Sequence, residues 1–184
     1  MRVIAGAWKG RSLTPPKGRD IRPTSDRVRA SLFDILGPLD GLCVLDAFAG
    51  SGALGLEALS RGARKAVFVD GAREAADLIR INAERLGAQE RAVIWRMDAA
   101  RSASRARKEG ILFDLLFFDP PYGSADPAEL LAGPAWEGVV SESARAVWEC
   151  SPREAPERMD PAWEEIDRRR YGGTLLLFFR WTRR

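Results

Sequence analysis

The stretch with the most chemical potential per residue is Asp119-Pro120-Pro121-Tyr122. Asp119 supplies a carboxylate, the prolines supply carbonyls without competing N–H donors, and Tyr122 supplies a flat aromatic face. A planar base stacked on Tyr122 would set an exocyclic NH₂ group against Asp119 and the Pro120 carbonyl. Two such acceptors orient the hydrogens and favour the nitrogen lone pair as a nucleophile. The plainer alternative is a strand closed by a rigid Pro-Pro turn with an exposed tyrosine. Either way Leu115-Leu116-Phe117-Phe118 is an apolar run suited to a strand buried on both faces, and the prolines end it.

A second candidate site lies upstream. In Asp46-Ala47-Phe48-Ala49-Gly50-Ser51-Gly52-Ala53-Leu54-Gly55 the glycines spell G-x-G-x-x-G, and Asp70 stands at about the spacing of a ribose-binding acid. A nicotinamide or flavin dinucleotide is one reading, but its pyrophosphate would meet the like charge of Asp46 at the helix N-terminus. S-adenosylmethionine, with an ammonium, a sulfonium and a carboxylate, is the other. Asp46 would meet its cationic end, the Gly50 to Gly52 amides its methionine portion, Asp70 the ribose hydroxyls and Asp98 the adenine amino group. Phe48 and Ala99 complete the expected cofactor-binding set. Any one of these acids alone could be a helix cap or a solvated loop residue. Asp46, Asp70, Asp98 and Asp119, each at a strand end, form a set.

Those strand ends follow from an alternating pattern. Strands are expected at Cys43–Leu45, Ala66–Val69, Ala92–Met97 and Leu115–Phe118, separated by helices at Ala53–Ser60, Ala72–Leu86 and Ala99–Lys108. Such alternation predicts an α/β fold with a parallel, doubly wound sheet, right-handed crossovers and ligands beyond the carboxyl ends of the strands. Pro127–Leu131 reads as a short helix, Ala144–Cys150 as a fifth strand and Ser151–Pro161 as a surface loop. Trp163–Tyr171 and Thr174–Trp181, joined by Gly172-Gly173, read as an antiparallel hairpin at the end of the sheet.

Composition narrows the chemistry. The chain of 184 residues is 46% hydrophobic, enough for one sizeable core. It has no histidine, which removes the commonest general base, the usual nucleophilic triads and most zinc sites, so no metal is expected. Cys43 and Cys150 read as buried free thiols. Apolar runs fall short of the roughly 20 residues of a membrane span. Met1 to Lys9 is interrupted too early for a signal peptide. A soluble, cytoplasmic monomer with no membrane partner is the expectation.

The net charge of +3 conceals an asymmetry: residues 1–29 carry eight basic side chains against Asp20 and Asp26. Arg2–Ala5 and Arg11–Thr14 suggest a small hairpin, and Thr24 or Ser25 caps a helix carrying Val28, Leu32, Ile35 and Leu36. Arg27 and Arg29 fall in its first turn, the unfavourable end for cations, which points to an external anion. The plainer reading is a solvated basic arm.

Together, Ala5-Gly6-Ala7-Trp8-Lys9-Gly10-Arg11, Arg22-Pro23-Thr24-Ser25-Asp26-Arg27-Val28-Arg29, the segment Asp46 to Ala58 and Asp119 to Tyr122 resemble the bacterial 16S ribosomal RNA guanine-N2 methyltransferases. The resemblance implies a Rossmann-like S-adenosylmethionine-dependent methyltransferase fold, seven-stranded and mostly parallel with an antiparallel last strand. It implies a basic RNA-binding extension over 1–37 and a methyltransferase domain over 38–184. It assigns Gly50, Gly52, Asp70 and Asp98 to the cofactor, Asp119, Pro120 and Tyr122 to the target guanine, and Arg11, Arg22, Thr24, Arg27 and Arg29 to RNA. It also implies 16S rRNA in an assembled or partly assembled 30S subunit as substrate. Ala72 departs from the pattern, since relatives often carry a second acid there.

Alternatives remain at this point. A DNA adenine or cytosine amino-methyltransferase shares the pocket but usually needs an added sequence-reading domain. A protein glutamine methyltransferase generally has Asn at the position of Asp119. A dinucleotide oxidoreductase and a non-catalytic RNA-binding module belong to other classes.

Overall fold

The strands are β1 (Cys43–Ala47), β2 (Lys65–Asp70), β3 (Ala92–Arg96), β4 (Phe113–Phe118), β5 (Val140–Cys150), β6 (Trp163–Tyr171) and β7 (Thr174–Trp181). They belong to a computed structural model that describes residues 1–16, 25–121 and 123–183. The strands form one sheet in the order β3-β2-β1-β4-β5-β7-β6. Strands β1 to β5 pair in parallel, β7 runs antiparallel to β5, and β6 runs antiparallel to β7. The order reverses between β1 and β4, and a doubly wound sheet opens its crevice beyond the carboxyl ends at that point. Asp46 and Asp119 belong to those two strand ends.

The helices are α1 (Asp26–Leu36), α2 (Ala53–Ser60), α3 (Arg73–Leu86), α4 (Ser102–Glu109) and two single turns, α5 (Pro127–Leu130) and α6 (Gly133–Trp136). Ser25 Oγ accepts from the Val28 amide and so starts α1, while Gly37, at φ 69°, ends it. The expected third helix begins instead as a 3₁₀ turn, Ala99–Arg101, because the Asp98 side chain caps Ala100 and tightens the first turn. Strand β5 starts four residues earlier than expected, where Val140 pairs with Phe113 ahead of a register shift. Turn α6 gave no helical signal in the sequence: four residues are too few for a periodicity. The Gly172-Gly173 turn closes the β6–β7 hairpin as expected. Cys43 and Cys150 are buried free thiols.

Buried apolar residues cover both faces of the sheet. At the end of β4, Phe118 stacks on Trp148 with centroids 5.5 Å apart and meets Trp136 edge-on at 5.8 Å. Each such pair contributes about 0.5–1.5 kcal/mol beyond burial. The Pro-Pro loop therefore leaves from a rigid anchor.

The amino-terminal residues share the sheet's core: Val3, Leu13, Val28, Leu32 and Phe33 lie in one cluster with Val44, Leu56 and Phe117. The expected hairpin reduces to the single bridge Arg2↔Ser12 around a 3₁₀ turn, Gly6–Trp8. Its anchor is Glu57, 1% exposed, which accepts from the amides of Ile4 (2.7 Å) and Ala5 (3.0 Å) and from Arg61 Nε (2.8 Å). Among the described residues no helix is long and apolar enough to cross a membrane.

Candidate active site

The glycine loop leaves β1 by a turn that only particular residues tolerate. Phe48 takes φ 63°, the sole positive φ outside glycine among the described residues, a strain of order 1–3 kcal/mol. Gly50 and Gly52 follow at φ 53° and 78°. Gly55 serves another purpose. A Cβ there would fall 2.3 Å from Phe68 Cε1, so this glycine lets α2 pack against β2. Above Gly50 the space is open, with nothing nearer to an added Cβ than the Phe48 carbonyl at 4.0 Å.

Two acids hold this loop. Asp70 Oδ2 accepts from the Gly50 amide at 2.9 Å, and its Oδ1 accepts from the Ala72 amide at 2.9 Å. Asp46 is 2% exposed and its Oδ2 accepts from the Gly55 amide at 2.8 Å. Burial pushes the Asp46 carboxyl well above its ordinary range; the Gly55 amide opposes this, and the nearby charges of Asp119 and Asp70 add to it. Asp46 thus lies beneath the loop and acts on the crevice through its field rather than as an open contact. Asp98 is exposed and caps Ala100 at 2.8 Å, and Ala99 beside it is buried.

Beyond β4, the Pro121 carbonyl is occupied by the Ser124 amide at 3.0 Å and by Ser124 Oγ at 2.6 Å. Among the described residues, none donates to the Pro120 carbonyl. Tyr122 lies outside the described residues, as do Arg22 and Thr24. Among the described residues no group of three His, Cys, Asp or Glu could hold a metal ion.

The basic residues divide. Arg27 is exposed. Arg11 is exposed too, but its guanidinium donates to the carbonyls of Arg85 and Leu86 at the end of α3. Arg29 corrects the expectation of an RNA contact: it is 1% exposed and donates to the Arg2 carbonyl and to Asp26 Oδ1. The reason is helical spacing. Arg29 falls three and four residues before Leu32 and Phe33, on the face that α1 buries. Burial lowers its pKa, against the charges of Asp26 and Glu57.

Two site residues escaped the sequence reading. Asn82, 0% exposed, donates to the carbonyls of Ser51 (3.0 Å) and Thr14 (3.1 Å) and accepts from the Thr14 amide (2.8 Å), tying the glycine loop to the amino-terminal segment. Its signal was a polar residue between Ile79 and Ala83 on the apolar face of α3. Glu149 follows Trp148, the register partner of Phe118, and so stands at the strand end beside Asp119. An acid at the end of the expected fifth strand was visible, and the rule that selected the other four applies to it.

Residues 1–180 match the family model described as Conserved hypothetical protein 95. The chain belongs to this family. It is 46% identical over 123 residues to "Putative rRNA methyltransferase YlbH" of Bacillus subtilis (strain 168), covering 66% of this chain and 67% of that one. It is 40% identical over 124 residues to "Ribosomal RNA small subunit methyltransferase D" of Escherichia coli (strain K12), covering 66% and 60%. The matches thus span 60–67% of these relatives' length. Among solved structures, "Putative methyltransferase yhhF from Escherichia coli" superposes with a TM-score of 0.83 at 30% identity, covering 99% of this chain and 98% of that one. The Haemophilus influenzae "putative methylase HI0767" gives 0.78 at 26% identity, covering 99% and 98%. This member of the Conserved hypothetical protein 95 family therefore has the Rossmann-like methyltransferase fold, with its acids on the strand ends around the switch point.

Proposed function

We propose that the chain is an S-adenosylmethionine-dependent methyltransferase acting on the 2-amino group of a guanine in 16S rRNA. The substrate is an assembled or partly assembled small ribosomal subunit, and the protein works as a cytoplasmic monomer. The observation that carries this reading is the mutual field of Asp46, Asp70 and Asp119. Three acids crowded at one crevice disfavour a pyrophosphate and favour a ligand bearing positive charge. The open space above Gly50 is the cradle for it. The relatives' names, ribosomal RNA methyltransferases, agree with this substrate class.

When bound, S-adenosylmethionine supplies an electrophilic methyl that passes to a nucleophile and leaves a neutral thioether. The residues that would hold it are Phe48, Gly50, Gly52, Asp70, Asp98 and Ala99, with Asp46 behind them. Asp119 and the Pro120 carbonyl accept the two amine hydrogens of a guanine extruded from its RNA and stacked on Tyr122. That pairing aims the nitrogen lone pair at the methyl. As the C–N bond forms, Asp119 is the acceptor at hand for the proton the nitrogen releases. Most of the rate gain comes from holding the nucleophile in line, since the methyl is already activated. Arg22, Thr24 and Arg27 in the 1–37 extension, together with Arg11, position phosphates, so binding weakens with salt.

Transfer of a radiolabelled methyl group to naked 16S rRNA, 30S subunits and duplex DNA, followed by nucleoside analysis, tests the proposal. It predicts label in N2-methylguanine from ribosomal RNA. Label in DNA bases, or nicotinamide binding without S-adenosylhomocysteine binding, would overturn it.

A further inference from the structure

One buried side chain serves both the glycine loop and the amino-terminal segment. Along α3, Ile79, Asn82, Ala83 and Leu86 recur at helical spacing on the buried face, so Asn82 places a carboxamide among apolar neighbours. The glycine loop rests on the same face: a Cβ on Gly52 would stand 3.2 Å from Ile79 Cγ1. Asn82 Nδ2 donates to the Ser51 carbonyl at 3.0 Å and to the Thr14 carbonyl at 3.1 Å, while Oδ1 accepts from the Thr14 amide at 2.8 Å. Both N–H groups and the oxygen are used, at 0% exposure. The Ser51–Gly52 peptide held in this way also carries the Gly52 amide, which closes the loop onto the Ala49 carbonyl at 2.7 Å. Departure of Thr14 would leave a donor and an acceptor buried and unpaired, which penalises moving either segment alone.

From Thr14 the contacts run on toward the basic surface. The Leu13 amide donates to the Met1 carbonyl at 3.1 Å and the Val3 amide to the Arg11 carbonyl at 3.0 Å, pairing two arms around the Arg2↔Ser12 bridge. Ser51 Oγ donates to Met1 Sδ at 3.7 Å, a second touch between the loop and this strap. The Arg2 carbonyl accepts from Arg29, which also donates to Asp26 Oδ1 at 2.9 Å, and these two residues flank the exposed Arg27 in α1. We infer that Asn82 is a positioning residue that couples the two substrate sites. S-adenosylmethionine settling over Gly50 to Gly52 fixes Ser51, Asn82 and Thr14, and thereby sets the α1 turn that presents Arg27 to an RNA phosphate. The inference rests on the RNA methyltransferase reading above and adds that the two substrates bind cooperatively. Linkage makes the effect reciprocal, so RNA raises cofactor affinity by the same factor. The element with two arrangements is the amino-terminal strap, seated on Asn82 or lifted from it.

Hydrogen exchange with S-adenosylhomocysteine alone separates this relay from direct contact between the two ligands. At saturation the Thr14 amide, whose acceptor is Asn82, should exchange at least about fivefold more slowly. That slowing is read over and above any at the Thr182 amide, which bonds to the Ala162 carbonyl at the far end of the sheet. The affinity for 30S subunits with and without S-adenosylhomocysteine, and the converse pair, should change by one common factor of at least about five. Asn82→Ala should bring that factor to about one. A purely structural Asn82 would weaken each affinity and leave the factor unchanged. Should the variant not fold, exchange at Thr14 in the wild type decides. Equal slowing at Thr14 and Thr182 in the wild type, or an unchanged factor in Asn82→Ala, overturns the relay and leaves guanine methylation standing. Methyl label outside N2-methylguanine overturns the parent function, and Thr14 exchange still tests the relay.

Discussion

The Asp70 carboxylate accepts a hydrogen bond from the Gly50 amide at 2.9 Å, joining the end of β2 to the glycine loop that leaves β1. Its other oxygen holds the Ala72 amide at 2.9 Å, so one side chain sets two backbone segments at the crevice mouth. A carboxylate retains lone pairs for a ribose after two such bonds.

Asp70→Asn exchanges an acceptor for a donor at that point. The expected result is a loss of about ten- to a hundredfold in S-adenosylhomocysteine affinity, the scale of one or two hydrogen bonds to a charged group. Calorimetric titration measures it, and an unchanged affinity would remove Asp70 from the cofactor site.

Asp46 gives a pH dependence whose sign follows from its environment. Burial raises its folded-state pKa above the ordinary 3.8, with Asp119 and Asp70 adding to the shift. Its contribution to stability is therefore fully present below that ordinary value and is lost as pH rises through the folded value. A cationic ligand restores the charge, so affinity for S-adenosylmethionine should rise with pH and binding should release a proton. Titrations in two buffers of different ionisation enthalpy count that proton. Asp46→Asn should abolish the asp-linked release; release unchanged in this variant would contradict the assignment.

Glu57→Ala leaves the Ile4 and Ala5 amides and Arg61 without their shared acceptor. Breaking a buried charge pair costs about 3–5 kcal/mol. A marked fall in Tm is expected, with the amino-terminal residues becoming protease-sensitive first. A Tm within a degree or so of wild type would show that Glu57 does not anchor the segment.

Arg27 and Arg29 should separate cleanly. Arg27→Gln, at an exposed position, should weaken RNA binding and reduce the slope of log affinity against log salt by about one. Arg29→Gln, at a buried position bonded to Asp26 and the Arg2 carbonyl, should lower Tm without changing that slope. The reverse pattern in salt titrations would make Arg29, and not Arg27, the residue that meets RNA phosphate.

Much of this architecture was written in short-range patterns. Leu115 to Phe118 announced a strand buried on both faces, Gly172-Gly173 a hairpin, and the alternation from Cys43 onward a parallel sheet with the acids at its crevice. What escaped depended on contacts distant in sequence. Asn82 and Thr14 are 68 residues apart, and Glu57 and Ile4 are 53 apart, so neither bond has a local signature. The difference between Arg27 and Arg29 was legible in principle from helical phase, but charge density at the amino terminus masked it. Glu149 needed the pairing of β4 with β5, which no strand reveals alone.

The central claim is that the strand-end acids form one crevice in which Asp119 presents an exocyclic amine to a cationic methyl donor. Single-turnover methyl transfer to 30S subunits by Asp119→Asn, alongside its S-adenosylhomocysteine affinity, tests this most directly. The account predicts a rate at least about a hundredfold below wild type with cofactor affinity preserved. Near-wild-type turnover in Asp119→Asn would contradict it.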